Sequence, residues 1–421
     1  MKDRVIFHVD VNSAFLSWSA VHALQHGASV DFREIPSVVG GNQATRHGIV
    51  LAKSIPSKEY GIKTGEPIIQ AKQKCPGLVV VPPDYYCYER CSRAMNEILR
   101  EYTDKVQIFS IDESFLDMTD TLHLFGNDPV EVATKIKDRI KNELGFTVSI
   151  GISDRNKLLA KMASELKKPD AVSTIYHNEI QSKMWPLPIR DLYMVGRATE
   201  KKLISMGITT IGDLANMDIE FVKYKLKPAW GTMLWNFSNG IEESPVKPEG
   251  SIPYIKGIGN STTIKFDITE KKDAYKVLLS LTEMVAMRLR SVKYCCSVVS
   301  IWIRTNELSG YSHQKKLYVP TDETMKIYKS ACRLFDEAWQ GEPIRALGIR
   351  VSDLCSNDFV QLSLFENYSE KKRKLDRLVD GLRIEYGSHS IYRSCFLHSG
   401  FPPVTGGISE ENNFVMTSIL W

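Results

Sequence analysis

The chain has 421 residues and a net charge of +4, with 43% hydrophobic and 25% charged residues. This composition is typical of globular proteins and excludes a wholly disordered chain, and the length suggests about three domains. The apolar runs are shorter than the roughly 18 residues that a membrane helix needs. Residues 1–4 lack the apolar core of a signal peptide. We therefore expect a cytoplasmic protein with no membrane partner.

The eight cysteines do not have the spacing of a disulfide framework or a zinc site. Cys87 and Cys91 stand four residues apart, and Cys295 and Cys296 are adjacent. This pattern predicts free or buried thiols in a reducing compartment.

Strands and helices alternate in the first 170 residues. The predicted elements are, in chain order, a buried strand over 4–10, a helix over 13–26, short strands within 35–81, a helix over 85–102, a strand pair around 106–118, a helix near 129–143, a strand over 146–153 and a helix over 155–167. This alternation predicts an α/β or α+β first half.

The second half divides into a helical part, a linker and a small domain. Residues 186–240 are predicted to be helical, and residues 242–253 contain three prolines and a glycine, which suits a linker. Strands at 298–304, 315–319 and 344–351 alternate with helices over 271–291 and 323–338. We therefore expect a separate α+β domain over 254–354, followed by a tail with one amphipathic helix near 367–385.

Three carboxylates stand beside apolar, strand-like runs. Asp10 ends the first predicted strand, and Asp112 and Glu113 lie between two others. Buried carboxylates are costly unless they are paired or bind a metal, and three of them on one sheet would suit two Mg²⁺ ions. Because adjacent strand residues face opposite sides, a turn or bulge must bring Asp112 and Glu113 together. Spacing alone leaves an ordinary acidic hairpin turn as the alternative.

Three motifs occur in a fixed order: FHVDVNSAF (7–15), SIDESFLDMT (110–119) and SIGISDRNKLLAKMASELKKPD (149–170). A helix-hairpin-helix-like stretch at 189–214 and IKGIGNSTT (255–263) follow them. Together these motifs resemble the Y-family translesion DNA polymerases.

The resemblance covers about residues 4–355 and implies a multidomain α+β fold shaped like a right hand. Its expected parts are a catalytic palm over 1–10 and 85–175, small fingers over 11–84, a helical thumb with the helix-hairpin-helix over 176–242, a linker over 243–253, a DNA-gripping little finger over 254–355 and a C-terminal tail over 356–421.

The resemblance also implies an activity. The chain would be a low-fidelity, template-directed DNA polymerase that adds deoxynucleotides to a primer past damaged template, as in DNA repair and the SOS response. Two Mg²⁺ ions would be held by Asp10, Asp112, Glu113 and the backbone carbonyl of Val11. Phosphoryl transfer of this kind depends on charge neutralisation and in-line geometry.

Three residues match the family's nucleotide contacts. Phe15 corresponds to the steric gate that excludes a ribose 2′-hydroxyl, and Lys168 and Lys58 correspond to triphosphate contacts. The alternative for Phe15 is a core aromatic residue. We expect Lys161 to lie on a solvated helix face.

One phosphate-binding motif departs from the family pattern. The family's Ser/Thr-x-x-Tyr-x-x-Arg is replaced by Ala52, Ile55 and Lys58. Lys58 keeps the positive charge but lacks the bidentate guanidinium of arginine. The departure therefore concerns the affinity for the nucleotide and not the metal site.

Two regions are expected to contact DNA phosphates. Val195 and Gly196 would form the tight turn of the helix-hairpin-helix, with glycine chosen for its permissive backbone. Residues 250–354 contain 16 Lys/Arg against 11 Asp/Glu, and Lys256, Arg304 and Arg345 are the expected DNA contacts there.

The tail carries a short motif that resembles the bacterial sliding-clamp-binding pentapeptide. Gln361, Leu362, Leu364 and Phe365 would insert into an apolar pocket of the clamp. The alternative is an apolar patch that packs back on the protein. We expect the apolar side of the following helix, which includes Leu375 and Leu378, to pack on the protein itself.

Two other functions would explain parts of the sequence. The chain could be a catalytically weak accessory factor that binds clamp and DNA, because Ala52, Ile55 and Lys58 depart from the family pattern. A repair enzyme built around the helix-hairpin-helix would leave Asp10, Asp112, Glu113 and Phe15 unexplained. We expect a monomer that binds primer–template DNA. The need for an accessory protein or recombinase filament stays open.

Overall fold

The computed structural model describes residues 4–41, 46, 48–248, 251, 255–358, 370–387 and 390–397. The chain forms two compact units, one made of residues 1–40 and 50–252 and the other of residues 41–49 and 253–421. The boundary at 252–253 falls at the end of the predicted linker. Among the described residues, no helix has the length and apolar character needed to cross a membrane.

The first unit contains eight strands and ten α-helices among its described residues. The strands are β1 (Ile6–Val11), β2 (Ser37–Gly40), β3 (Val50–Lys53), β4 (Val79–Val81), β5 (Val106–Ile108), β6 (Glu113–Asp117), β7 (Val148–Ser153) and β8 (Val172–Thr174). The helices are α1 (Ala14–Gln25), α2 (Ile55–Glu59), α3 (Ile68–Lys74), α4 (Tyr85–Arg100), α5 (Pro129–Leu144), α6 (Lys157–Glu165), α7 (Arg197–Ser205), α8 (Ile211–Ala215), α9 (Ile219–Leu226) and α10 (Pro228–Ser238).

A five-stranded sheet forms the centre of this unit, with the strand order β5-β6-β1-β7-β8. Every residue of β1 and β7 is buried, so both faces of the sheet are covered. Phe7, Val9 and Val11 of β1 pack in a core with residues of α1, α4 and α5. Ile6 packs on the opposite face with Ala160 of α6. Because side chains alternate along a strand, Asp10 belongs to the α6 face.

The backbone of α6 lies directly against β7 at Gly151. A Cβ atom built on Gly151 would lie 1.9 Å from the carbonyl oxygen of Ala160 and 2.3 Å from the amide nitrogen of Ser164. Such distances are far inside van der Waals contact, so only glycine permits this approach. The close packing sets how far the polar residues of α6 stand from the strands.

Two smaller cores complete the first unit. A three-stranded sheet of order β3-β2-β4 packs Val38 and Val50 against Ile68 and Ala71 of α3. Residues of α6, including Leu159 and Met162, share a separate core with the helical stretch that contains α7 to α10.

The second unit contains four strands and three α-helices among its described residues. They are β9 (Gly257–Ile268), α11 (Lys271–Ser291), β10 (Tyr294–Thr305), β11 (Gly310–Thr321), α12 (Thr324–Ala338), β12 (Ile344–Ser356) and α13 (Glu370–Tyr386). The strands form an antiparallel sheet of order β11-β10-β12-β9, and buried residues of α11 and α12 share its core. The sequence predicted the other elements of this unit but missed β9.

Helix α13 is attached through charged residues. Arg290 of α11 donates hydrogen bonds to both carboxylate oxygens of Asp380, at 2.6 and 2.8 Å, and Arg383 contacts Glu283 at 3.0 Å. Leu375 and Leu378 are instead 58% and 62% exposed. The prediction that the apolar side of this helix packs on the protein is therefore wrong for Leu375 and Leu378, because buried ion pairs occupy the inner face, whereas Val379 and Leu382 are half-buried.

Candidate active site

Asp10 and Glu113 face each other across two paired strands. Asp10 is the penultimate residue of β1, Glu113 is the first residue of β6, and the two are direct cross-strand partners. Directly opposed residues of an antiparallel pair have side chains close together on one face of the sheet. The structure therefore brings these two predicted site residues together on the α6 face.

Asp112 precedes β6 in a bend that connects β5 to β6. The Val11 N–H donates to the Asp112 carbonyl at 3.0 Å, which holds this bend beside the end of β1. The Asp112 carboxylate accepts a hydrogen bond from Ser110 Oγ at 2.5 Å. The expected turn lies at residues 110–112, directly before Glu113, and the Asp112 backbone stands beside Val11.

Lys168 neutralises part of this acidic cluster. Its Nζ lies 2.9 Å from Asp10 Oδ1 and 2.6 Å from Glu165 Oε1. Burial acts to lower the pKa of Lys168, but the two carboxylates outweigh it and raise the pKa above its usual value. Lys168 thus lies at the carboxylate cluster with protein carboxylates as its partners, and its contact with a triphosphate stays a prediction.

Lys161 is the second ammonium group of the site. Its Nζ lies 2.5 Å from Glu113 Oε1, with side-chain exposures of only 15% and 16%. The same Nζ stands 5.1 Å from the ring centroid of Phe109 and 5.9 Å from that of Tyr193. The expectation of a solvated helix face is wrong for Lys161, because α6 turns this residue toward the strands.

Glu165 is a fourth carboxylate that the sequence analysis did not single out. Ligand atoms of Asp10, Glu113 and Glu165 all lie within 4.8 Å of one another. The available signal was its spacing, because Glu165 follows Lys161 by one helical turn and precedes Lys168 by three residues. That spacing places Lys161 and Glu165 on one side of α6, and the turn after the helix brings Lys168 back to Glu165.

The charges of the cluster suit divalent cations. Burial raises the pKa of Asp10 to about 8 despite the nearby Lys168, and burial also raises the pKa of Asp112. The raised pKa values mean that burial disfavours the ionised carboxylates, and a bound divalent cation would favour their ionised form. A set of carboxylate oxygens with a nearby backbone carbonyl is the donor set that Mg²⁺ prefers.

Phe15 lies in the first turn of α1, directly after the end of β1. Its ring stacks on Tyr88 of α4 at a centroid distance of 4.6 Å and an interplanar angle of 13°. Tyr85 meets the same ring edge-on at 6.1 Å. Ser13, which precedes α1, has a left-handed backbone with φ 49°. This turn carries the chain from the carboxylates to Phe15 within five residues.

The residues of the altered phosphate motif lie on β3 and α2. Ala52 is buried in β3 with Leu16 and Val39, whereas Ile55 is 52% exposed at the start of α2. Lys58 is exposed on the same helix. Its role as a nucleotide contact stays a prediction.

The predicted turn at Val195 and Gly196 has a different backbone from the one expected. Gly196 precedes α7 with φ −86°, which any residue adopts. The left-handed residues are Met194, with φ 76°, and Gly207, with φ 80°. The reason given for glycine at position 196 is therefore wrong, although the residue is exposed at the start of a nine-residue helix.

The expected basic residues of the second unit lie on or beside its sheet. Arg304 lies on β10 between buried Ile303 and Thr305, Arg345 lies on β12, and Lys256 is exposed just before β9. Trp302, 37% exposed, and Arg350, exposed opposite Ser300, extend the outward face of the same sheet. Sequence analysis missed both, although the alternation that pointed to Arg304 also reaches Trp302.

The predicted clamp motif is not part of the described chain. Gln361, Leu362, Leu364 and Phe365 lie outside the described residues, between the end of β12 and the start of α13.

Family models match three parts of the chain. The model of the impB/mucB/samB family matches residues 9–165, and the model of its C-terminal domain matches residues 255–364. The HHH motif of the IMS family matches residues 177–208. The first match contains Asp10, Asp112, Glu113, Lys161 and Glu165, and Lys168 lies three residues beyond its end.

Similar proteins cover nearly the whole chain. A protein named DNA polymerase IV from Clostridium acetobutylicum is 46% identical over 395 residues, which cover 94% of this chain and 98% of the relative. Another of that name from Acetivibrio thermocellus is 42% identical over 399 residues, with the same coverage of 94% and 98%. Among solved structures, the Y-family DNA polymerase chimera Dbh-Dpo4(243-245)-Dbh has a TM-score of 0.71 at 22% identity and covers 84% of this chain and 100% of its own.

Proposed function

The chain belongs to the Y family of DNA polymerases, within the impB/mucB/samB group, and on this premise we propose that it extends primers past damaged template as a low-fidelity, template-directed DNA polymerase. The observation that carries the proposal is the register of the central sheet. It places Asp10 opposite Glu113 with Asp112 beside them. Phosphoryl transfer needs such a cluster more than it needs a covalent nucleophile.

Four groups would hold two Mg²⁺ ions: the carboxylates of Asp10, Asp112 and Glu113, and the carbonyl of Val11. When bound, these ions would supply charge neutralisation and alignment for phosphoryl transfer. Lys161, held against Glu113 at 2.5 Å, would keep that carboxylate in place for the primer end. The excess of carboxylates over lysines in the cluster supports this assignment.

The nucleotide would lie between α1 and the end of α6. Lys168 would exchange its contact with Asp10 for a contact with the triphosphate, because the triphosphate carries more negative charge than one carboxylate. Phe15 would meet the sugar at the 2′ position, and its stacking on Tyr88 supports this role because it restrains the ring. Lys58 would add charge at the phosphates without the bidentate geometry of arginine.

The remaining parts of the chain would hold the DNA and its partners. We assign a palm to 1–10 and 85–175, fingers to 11–84, a thumb to 176–242, a linker to 243–253, a little finger to 254–355 and a clamp-binding tail to 356–421. Gly196, Lys256, Arg304 and Arg345 would contact the phosphate backbone, which positions DNA without reading its sequence. Gln361 to Phe365 would bind the replication sliding clamp.

The proposal is tested by primer extension on undamaged and abasic templates with Mg²⁺ and deoxynucleotides. We expect extension by the wild type and none by the double variant Asp112→Ala/Glu113→Ala. The matched control is Asp104→Ala, which removes an exposed carboxylate near β5 and should extend normally.

Binding assays separate the outcomes. A wild type that binds primer–template DNA and clamp but never extends a primer would overturn the polymerase assignment in favour of a clamp- and DNA-binding accessory factor. Equal extension by the wild type and the double variant would overturn the assignment of the carboxylates.

A further inference from the structure

Two helices of the first unit each place a pair of metal-binding residues at one cavity. His22 and His26 stand four residues apart on and just after α1, and Cys87 and Cys91 stand four apart on α4. All four line an open cavity of about 350 Å³. The eight cysteines are free thiols, as the sequence predicted, but the convergence of the cysteine pair with this histidine pair was not predicted.

Three potential ligands at this cavity are already close together. Ligand atoms of His22, Asp84 and Cys87 all lie within 4.8 Å of one another. Cys87 is buried, with 7% exposure, and His22 is half-buried. Asp84 is the N-cap of α4, and its Oδ1 accepts from the Cys87 N–H at 3.0 Å. This cap fixes one carboxylate oxygen and leaves the other for a ligand.

The neighbouring side chains support the same cluster. Cys91 lies one helical turn beyond Cys87 on α4 and lines the same cavity. His26 Nδ1 lies 2.8 Å from the His22 carbonyl oxygen, and the two imidazole rings are 4.2 Å apart. His26 thus packs against the ring of His22 at the edge of the cluster.

We propose that this cluster is a Zn²⁺ site in which His22, Asp84 and Cys87 are the ligands and Cys91, one helical turn further along α4 at the same cavity, would supply the fourth. Zinc takes four ligands from sulfur, nitrogen and carboxylate oxygen in tetrahedral geometry, which matches this mixed set. Thiolate and imidazole do not suit Mg²⁺, so the site is chemically distinct from the carboxylate cluster. None of its four residues belongs to that cluster.

A bound Zn²⁺ would join α1 to α4, the two helices that hold Phe15 and its stacking partner. Phe15 lies on α1 and stacks on Tyr88 of α4, and Ser19 Oγ lies 2.8 Å from the Tyr88 hydroxyl. A metal held by both helices binds the folded state, so it stabilises the unit increasingly as the free Zn²⁺ concentration rises above the Kd. The site would therefore brace the two helices that carry the aromatic pair.

The test is a titration of the full-length, chelator-treated protein with Co²⁺, followed by competition with Zn²⁺. We expect one equivalent of Co²⁺ to produce the absorption band of cobalt–thiolate ligation, and Zn²⁺ to abolish it. His22→Gln and Cys87→Ser should weaken Zn²⁺ binding by at least ~100-fold, which is the upper range for loss of even an outer metal-site partner. Asp84→Asn keeps the helix cap but removes the charge, and should also weaken binding.

The matched control is Cys75→Ser, which alters a buried thiol of the fingers core outside this cluster. It should bind Zn²⁺ like the wild type, and circular dichroism of every variant checks that the fold is intact. Zinc should raise the thermal midpoint of the wild type and of Cys75→Ser but not of folded Cys87→Ser. Absence of the cobalt–thiolate band in the wild type, or equal affinity in all variants, would overturn the proposal.

Discussion

At the scale of single residues, the candidate active site pairs carboxylates at the strand ends with two lysines, one on α6 and one just after it. Asp10 and Glu113 were predictable, because motif and strand period agree on their position. Lys161 and Glu165 were not, because their roles depend on which side of α6 meets the sheet. That choice is set by the close contact at Gly151, which the sequence pattern does not encode.

Lys161→Met should reduce the rate of nucleotide addition by about 10- to 100-fold, as for residues that orient metal ligands. The physical reason is that Glu113 loses its partner at 2.5 Å. Single-turnover kinetics should show the loss in the rate constant and a nearly unchanged KM for the nucleotide. Lys161→Arg should recover part of the rate.

The control for this prediction is Lys167→Met, which removes an exposed ammonium group just beyond α6. An equal loss in both variants would show that general positive charge, and not the contact with Glu113, matters.

Phe15→Ala should lower the preference for deoxynucleotides over ribonucleotides by about 100-fold, because the pocket loses the wall that meets the 2′ position. The measurement is kcat/KM for each nucleotide in single-nucleotide insertion. Phe125→Ala is the control, since it also removes a half-buried ring packed against the same core. A preference that is unchanged in Phe15→Ala would mean that this ring is only a core residue.

At the scale of elements, the strand and helix pattern predicted most of the architecture. The helix predicted over 129–143 is α5 (Pro129–Leu144), and the one over 271–291 is α11 (Lys271–Ser291). β9 was missed because only part of it alternates regularly, and its ladder with β12 shifts register. Local pattern fails where a partner strand decides the pairing.

Gly151→Ala should destabilise the first unit by roughly 3 kcal/mol, because the new methyl group forces α6 away from β7. Urea unfolding followed by circular dichroism measures the change. Gly77→Ala is the matched control, since a Cβ atom there meets nothing within 4 Å and its backbone is not left-handed. A Gly151→Ala variant as stable as the control would contradict the packing described for α6.

Asp213 predicts a pH dependence for the start of α8. Backbone N–H groups of Thr210 and Thr209 donate to its carboxylate and lower its pKa to about 2. Since the folded-state pKa lies below the usual value of about 3.9, its contribution is present near neutral pH and is lost as the pH falls from about 4 to about 2.

Thermal unfolding of the wild type and Asp213→Asn at several pH values tests this. The wild type should be the more stable near neutral pH, and the difference should shrink in acid. A constant difference at every pH would exclude the carboxylate as its source.

At the scale of the whole molecule, buried ion pairs hold α13 against the rest of the second unit. Arg290 and Asp380 have side-chain exposures of 7% and 12%, and Arg383 and Glu283 of 6% and 7%. The sequence predicted the apolar positions of α13, but it did not predict which face of the helix packs on the protein. Long-range ion pairs such as Arg383 with Glu283, a hundred residues apart, leave no local pattern.

Arg290→Met should destabilise the second unit by about 3–5 kcal/mol, because it leaves the Asp380 carboxylate buried without its partner. The measurement is the unfolding midpoint of the second unit in guanidinium chloride. Lys374→Met is the control, because its ion pair with Glu370 has exposures of 73% and 64%. Equal midpoints for the two variants would contradict a structural role for the buried pair.

The charged inner face of α13 also determines how its attachment responds to heat and cold. Burial of apolar surface gives protein unfolding its large heat capacity, whereas exposure of polar surface lowers it. Release of α13 should therefore carry a small heat-capacity change compared with the rest of the unit. The free-energy cost of dehydrating ions also falls as temperature rises. On warming, α13 should therefore stay attached better than a helix of equal length that is attached through apolar side chains.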